Sequence, residues 1–144
     1  MVDDRVVANT LEQIEQYHGE LAEKQSTLSR RELEGDVTEQ RAVERMFENA
    51  IQSCADLALH IATSAFGYGG DSSKGAISVL QEEGVCSEET ARTLLEAVGF
   101  RNMLAHEYGA IDYDIVYESL QQELWVYDEF TREVASWYQE HVED

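Results

Sequence analysis

Between Val43 and Ala65 the apolar residues Val43, Met46, Phe47, Ala50, Ile51, Cys54, Leu57, Ala58, Ile61, Ala62 and Ala65 recur every three or four positions. That is the period of an α-helix, and a stripe this broad marks a helix at the centre of a bundle. Small side chains at positions 50, 55, 58, 62 and 65 let a neighbouring helix approach closely. Asp36, with Glu39 three residues on, forms a capping-box-like start. The chain has no proline, so nothing forces a kink or a break into a long helix. Together these features point to an all-α fold.

Four further segments fit the same pattern. Val7, Leu11, Ile14, His18, Leu21 and Leu28 predict a first helix over about 2–28, in which His18 packs half-buried on the apolar stripe. Residues 34–37 read as a turn ahead of the central helix. After it, Gly67–Ser73 reads as a helix–helix connection. It is Gly-rich but lacks the GxxxxGK[ST] order of a phosphate-binding loop, and no strand precedes it. A short helix over about 74–83 stops at Gly84, and Ser87 caps a fourth helix that begins with Glu88 and Glu89. Gly109–Asp112 makes a turn. A fifth helix, about 113–141, carries Tyr113, Val116, Leu120, Leu124, Tyr127, Phe130, Val134, Trp137 and Tyr138. An aromatic stripe at this spacing reads as core or subunit interface. The expectation is one domain, residues 1–144, folded as an antiparallel four- to five-helix bundle.

Composition narrows the function. No run of about 18 apolar residues exists, so no membrane span is expected. The N-terminus lacks the basic and apolar regions of a secretory signal, and a cytoplasmic location is expected. Cys54 and Cys86 belong to no ligand pattern. Asp56 and His60 lie one turn apart, but no matching second pair supports a metal site, and none is expected. Asp56 is the better candidate to pair with an Arg from another helix. Thirty acidic residues oppose ten basic ones, for a net charge of −20. Such a field repels nucleic acid at low salt. It fits either a basic partner or a halophilic setting, in which molar salt shortens the screening length to about 3 Å. Only Lys24 and Lys74 are lysines, which agrees with the second reading.

The fourth helix ends in Arg101-Asn102-Met103-Leu104-Ala105-His106-Glu107-Tyr108. At a helix C-terminus the last carbonyls lack intrahelical partners and the dipole favours cations. Arg101 and His106 are therefore either caps or a phosphate-handling pair. The guanidinium offers a planar fork of donors that matches phosphate oxygens, and the imidazole can give or take a proton near neutrality. RNA carries its own nucleophile, the 2′-hydroxyl. Cleavage then needs a base, an acid and a cation, and no metal. One Arg and one His are a thin set for that task. Two copies across a two-fold axis double it.

The order Arg101-(four residues)-His106-Glu107-Tyr108 resembles the R-x4-H-x-Y motif of the HepT-like toxins in the HEPN nuclease superfamily. The likeness extends over roughly residues 36 to 130. It takes in Arg41, Val43, Glu44, Arg45, Ala50, Ile51 and Asp56 on the central helix, Phe100-Arg101-Asn102 before the His, and Ile111-Asp112-Tyr113 and Val116-Tyr117 after it. The resemblance implies a homodimeric, metal-independent endoribonuclease that needs no cofactor of its own. It makes Arg101 and His106 the catalytic positions and Asn102 the polar residue customary beside the Arg. It places Asp56 as a brace for Arg101. It also implies a partner, an MntA-like minimal nucleotidyltransferase antitoxin that uses ATP and Mg²⁺ to transfer AMP to Tyr108. An anionic adenylate there would occupy the phosphate position and pair with Arg101. The alternative is a non-catalytic module that binds nucleotide or substrate for a separate nucleotidyltransferase. A third reading is a plain bundle whose motif only caps a helix.

Overall fold

The structure is a computed structural model that describes residues 2–106 and 110–141. Its order is α1 (Asp4–Thr27), α2 (Arg30–Gly35), α3 (Val37–Phe66), α4 (Ser73–Glu82), α5 (Glu88–His106), α6 (Tyr113–Gln122) and α7 (Trp125–His141). The described residues contain no strand, and the all-α expectation holds.

Local signals set most of the boundaries. Asp3, Ser29, Asp36, Ser72 and Asp112 each accept a backbone N–H of the helix they precede, which satisfies donors that have no intrahelical partner. Gly67 ends α3 with φ +66°, and Gly84 follows α4 with φ +79°. Side chains with a Cβ disfavour this left-handed region. At both places the next amide reaches back into the helix, six positions from Tyr68 to Ala62 at 3.0 Å and five from Val85 to Leu80 at 2.8 Å. Those bonds satisfy the last carbonyls of the helix in the Schellman manner.

α3 is the central helix. It contacts α1, α2, α4, α5 and α7. Val43, Phe47, Ala50, Ile51, Cys54, Leu57, Ala58, Ile61 and Ala62 are buried along it. Ala65, read with the small-residue stripe, is exposed. His18 is half-buried, its ring 6.5 Å from that of Tyr127.

Two expectations need correction. The segment before α3 is a helix of its own, α2, closed by a reciprocal capping box between Ser29 and Glu32. Gln40 covers its end by donating to the carbonyls of Leu33 at 2.9 Å and Glu34 at 3.0 Å. The predicted fifth helix is two helices. Between α6 and α7, Val126 N–H donates to Glu123 and Tyr127 N–H to Leu124, both at 3.2 Å and both three residues back. This tighter turn lets Leu124 and Val126 both be buried and leaves Trp125 38% exposed. In a straight helix, residues two apart point about 200° away from each other. The turn also redirects the chain, so that α6 packs on α1 and α2 while α7 packs on α1, α3 and α5.

Candidate active site

α5 carries the motif. Its first turn holds Glu88 and Glu89 and its last residue is His106, so both ends suit the helix dipole. Leu94, Val98 and Leu104 are buried and hold the helix against its neighbours. Arg101 is half-buried, whereas Asn102 and His106 are exposed.

The Arg101 guanidinium is held by neutral amides. Nη1 donates to Gln52 Oε1 on α3 in a short contact, and Nη2 donates to Asn102 Oδ1 at 3.2 Å. Gln52 Nε2 in turn donates to Asp56 Oδ1 at 2.6 Å, one turn along α3. Asp56 therefore bears on Arg101 only through Gln52. The direct pairing expected between Asp56 and an Arg is absent among the described residues. The side-chain lengths explain this, because Gln52 is long enough to fill the gap and presents an acceptor outward and a donor back. Gln52 went unread in the sequence. Its only signal is the i,i+4 spacing to Asp56 on an exposed stripe.

This arrangement has an electrostatic consequence. In a chain with three acids for every base, no carboxylate of the described residues lies within ion-pair distance of Arg101. Amide oxygens orient the guanidinium without cancelling its charge, so it remains able to take an anion.

Arg101 and His106 share no hydrogen bond among the described residues. Five residues along an α-helix correspond to about 7.5 Å of rise and about 140° of rotation. The two side chains therefore leave α5 on different sides and do not make a ready dyad on one face. Tyr108 lies outside the described residues, as do its neighbours Glu107 and Gly109.

Beyond the motif, α6 is fixed from two directions. Tyr113 Oη donates to Glu44 Oε2 at 2.5 Å and accepts from Arg41 Nη1 at 3.1 Å, and Arg41 also pairs with Glu44 at 3.0 Å. Burial, followed by the Glu44 carboxylate, raises the Tyr113 pKa, while the Tyr113 hydroxyl and then the Glu44 charge raise that of Arg41. From the other side, Arg30 pairs with Asp114 and with Glu118 at 2.8 Å, and stacks over the Tyr117 ring at 4.8 Å.

Among the described residues no group of three His, Cys, Asp or Glu side chains is placed to hold a metal ion. His60 Nε2 accepts the Asp3 backbone N–H at 3.0 Å, a contact that ties the start of α1 to α3. Both cysteines are buried. Burial pushes both thiols up, that of Cys86 to about 12. No helix of the described residues is long and apolar enough to cross a membrane.

Comparison with known proteins now bears on this geometry. No curated protein matches the chain. Among solved structures, a tri-AMPylated HEPN toxin of Shewanella oneidensis in complex with an MNT antitoxin is similar with a TM-score of 0.83 at 22% identity, covering 93% of this chain and 98% of that one. A toxin–antitoxin structure with AMP-PNP gives 0.83 at 20% identity, covering 92% and 99%. YutE of Bacillus subtilis, a cytosolic protein of unknown function, gives 0.84 at 16% identity, covering 99% and 95%. At these identities the likeness is one of fold. The sequence match is more specific: the profile of a family described as Ribonuclease HepT-like aligns with residues 7–134. Spanning most of the bundle and the whole motif, that match shows that the chain belongs to the HepT-like ribonuclease family.

Proposed function

We propose that this protein is a metal-independent endoribonuclease toxin that works as a homodimer. Arg101 and His106 of two protomers form its active site, and Asn102, Gln52 and Asp56 support Arg101. The observation that carries the reading is the state of Arg101, which is oriented by two amides and left without a carboxylate partner among the described residues. A guanidinium meant only to cap a helix would be spent on backbone carbonyls.

In this scheme Arg101 binds the scissile phosphate and stabilises the charge that develops on it. His106 of one protomer takes the 2′-hydroxyl proton as the oxygen attacks phosphorus. The P–O5′ bond breaks, and the 5′ oxygen takes a proton from the second His106. The products are a 2′,3′-cyclic phosphate and a 5′-hydroxyl. The divergence of Arg101 and His106 around α5 favours the dimer, since a facing copy supplies groups from the opposite side.

The partner is a minimal nucleotidyltransferase of the MntA kind. The HEPN toxin of similar fold was solved AMPylated and with an MNT antitoxin. Carried to this chain, the Tyr108 phenol attacks the α-phosphate of ATP held by the antitoxin, and pyrophosphate leaves. The adenylate then competes with RNA for Arg101.

The test is cleavage of RNA in excess EDTA, at about 0.1 M and about 1 M KCl. Wild-type protein cleaves, and more readily in the higher salt, where the −20 field is screened. Arg101→Ala and His106→Ala abolish cleavage while keeping the fold. Unchanged cleavage in either variant removes these residues from the active site. The acidic charge favours one second reading, a non-catalytic nucleotide-binding partner of the nucleotidyltransferase. A wild-type dimer that binds AMP yet cuts no RNA at either salt would establish it.

A further inference from the structure

A cavity of about 200 Å³ opens between α3, α5, α6 and α7, on the flank of the motif helix. Its apolar wall includes Phe47 and Phe100, which meet edge to face at 5.2 Å. Two carboxylates, Glu96 and Glu123, line it together with Thr93 and Tyr127, and no Lys, Arg or His does. Neither carboxylate joins an ion pair among the described residues. Burial and the nearby Glu96 charge hold the Glu123 carboxyl above its usual range, which places the two acids in one field with no cation between them.

Tyr127 supplies an independent observation. It is only 2% exposed, yet no hydrogen bond to its hydroxyl exists among the described residues. No fully buried polar side-chain atom among the described residues lacks a partner, so this hydroxyl keeps some accessible surface, and Tyr127 is one of the residues that line the cavity. A phenol at such depth with no protein partner keeps its donor and its acceptor free for a ligand.

We propose that this cavity is a binding site for an alkylguanidinium or alkylammonium group. The cation lies against Glu96 and Glu123, and the Tyr127 hydroxyl accepts one of its N–H groups. The apolar stem lies on Phe47 and Phe100, whose ring faces also attract a cation. Size selects the ligand. Pockets for drug-sized molecules run to about 300–1,000 Å³, so this one suits a single cationic group on a short stem and is too small for a nucleotide. Charge selects it too, since two carboxylates repel phosphate. Two sources offer the same chemistry: a free alkylamine, or an Arg or Lys side chain presented by another protein.

The test is calorimetric titration of the full-length protein with n-butylguanidinium chloride, paired with amide chemical shifts. Saturable binding is expected, with shifts concentrated at Thr93, Phe100 and Tyr127. Glu96→Gln and Glu123→Gln each weaken binding about tenfold or more, a loss of about 1.4 kcal/mol, and Tyr127→Phe weakens it less. Glu12→Gln, on the exposed side of α1, leaves it unchanged and so excludes general attraction to an acidic protein. Glu123→Gln keeps the fold, because burial already disfavours the charge it removes. Neutral n-butylurea does not bind. Binding of the urea with equal affinity, or full affinity in the Glu96→Gln/Glu123→Gln double variant, overturns the proposal. Spermidine and an N-acetylated, C-amidated Ala-Arg-Ala peptide distinguish the sources. Tighter binding of one supports the site and names its ligand class, and binding of neither overturns it. No arm of the test depends on RNA cleavage.

Discussion

Replacing Gln52 with Ala removes the contact that reaches Arg101 from another helix, and it tests how much orientation matters. Gln52 is exposed on α3, so the cost to folding stays within about 0.5 kcal/mol, or about 2 °C in Tm for a chain of this size. A hydrogen bond to a charged group contributes about 1.5–3 kcal/mol. Arg101 keeps Asn102 and is only half-buried, so water replaces part of what is lost. The lower end, about 1.5 kcal/mol, corresponds to about a tenfold fall in rate. The fall belongs in kcat. An unanchored Arg101 still attracts phosphate, so KM changes little, but it no longer meets the transition state in a fixed pose. Asp56→Asn keeps an acceptor for Gln52 and loses only a charge, an effect of about 0.5 kcal/mol and about twofold. In a Gln52→Ala background Asp56→Asn has no further effect, because Asp56 reaches Arg101 only through Gln52. Single-turnover cleavage of a short fluorogenic RNA in EDTA measures all four corners of this cycle. A Gln52→Ala enzyme with wild-type kcat, or additive losses in the double variant, would refute the relay.

Three further outcomes follow from the structure. Tyr113→Phe strips one hydrogen bond from Glu44, which is 8% exposed; the expected cost is about 1–3 kcal/mol, read as a Tm lowered by about 2–10 °C. The Ser29 backbone N–H and then its side chain lower the Glu32 pKa, and Ser29→Ala removes only the second of these. A depressed carboxyl stabilises the fold above its unfolded pKa and loses that contribution as pH falls through the folded value. The stability gap between wild type and Ser29→Ala is therefore largest at neutral pH and narrows in acid, as urea melts at a series of pH values would record. Both thiols are buried with raised pKa values, so Ellman's reagent should label neither at pH 8 until denaturant unfolds the bundle.

The parts of this protein that were legible in the sequence are those that repeat locally. The apolar spacing of residues 43–65 located α3, the residues at positions 36, 84 and 87 marked boundaries, and the motif at 101–108 located the end of α5. Where local signals were weaker the reading failed. The Ser29–Glu32 capping box was overlooked beside the turn residues that follow it. The stripe from Val116 through Tyr127 keeps helical spacing across Glu123, so periodicity alone could not reveal the break between α6 and α7. That break exists because α6 and α7 face different partners.

The sequence by itself determined the helical class, the buried faces, the caps and the family, since each is written in residues a few positions apart. Tertiary structure decided which groups meet. Gln52 and Arg101 are 49 residues apart, and Glu44 and Tyr113 are 69 apart. No period in the chain relates them. The angle and axial offset at which α3 packs against its neighbours bring each pair together. The same packing puts Tyr127, Glu96 and Glu123 on the wall of one cavity, a juxtaposition that emerges only when four helices close around one space.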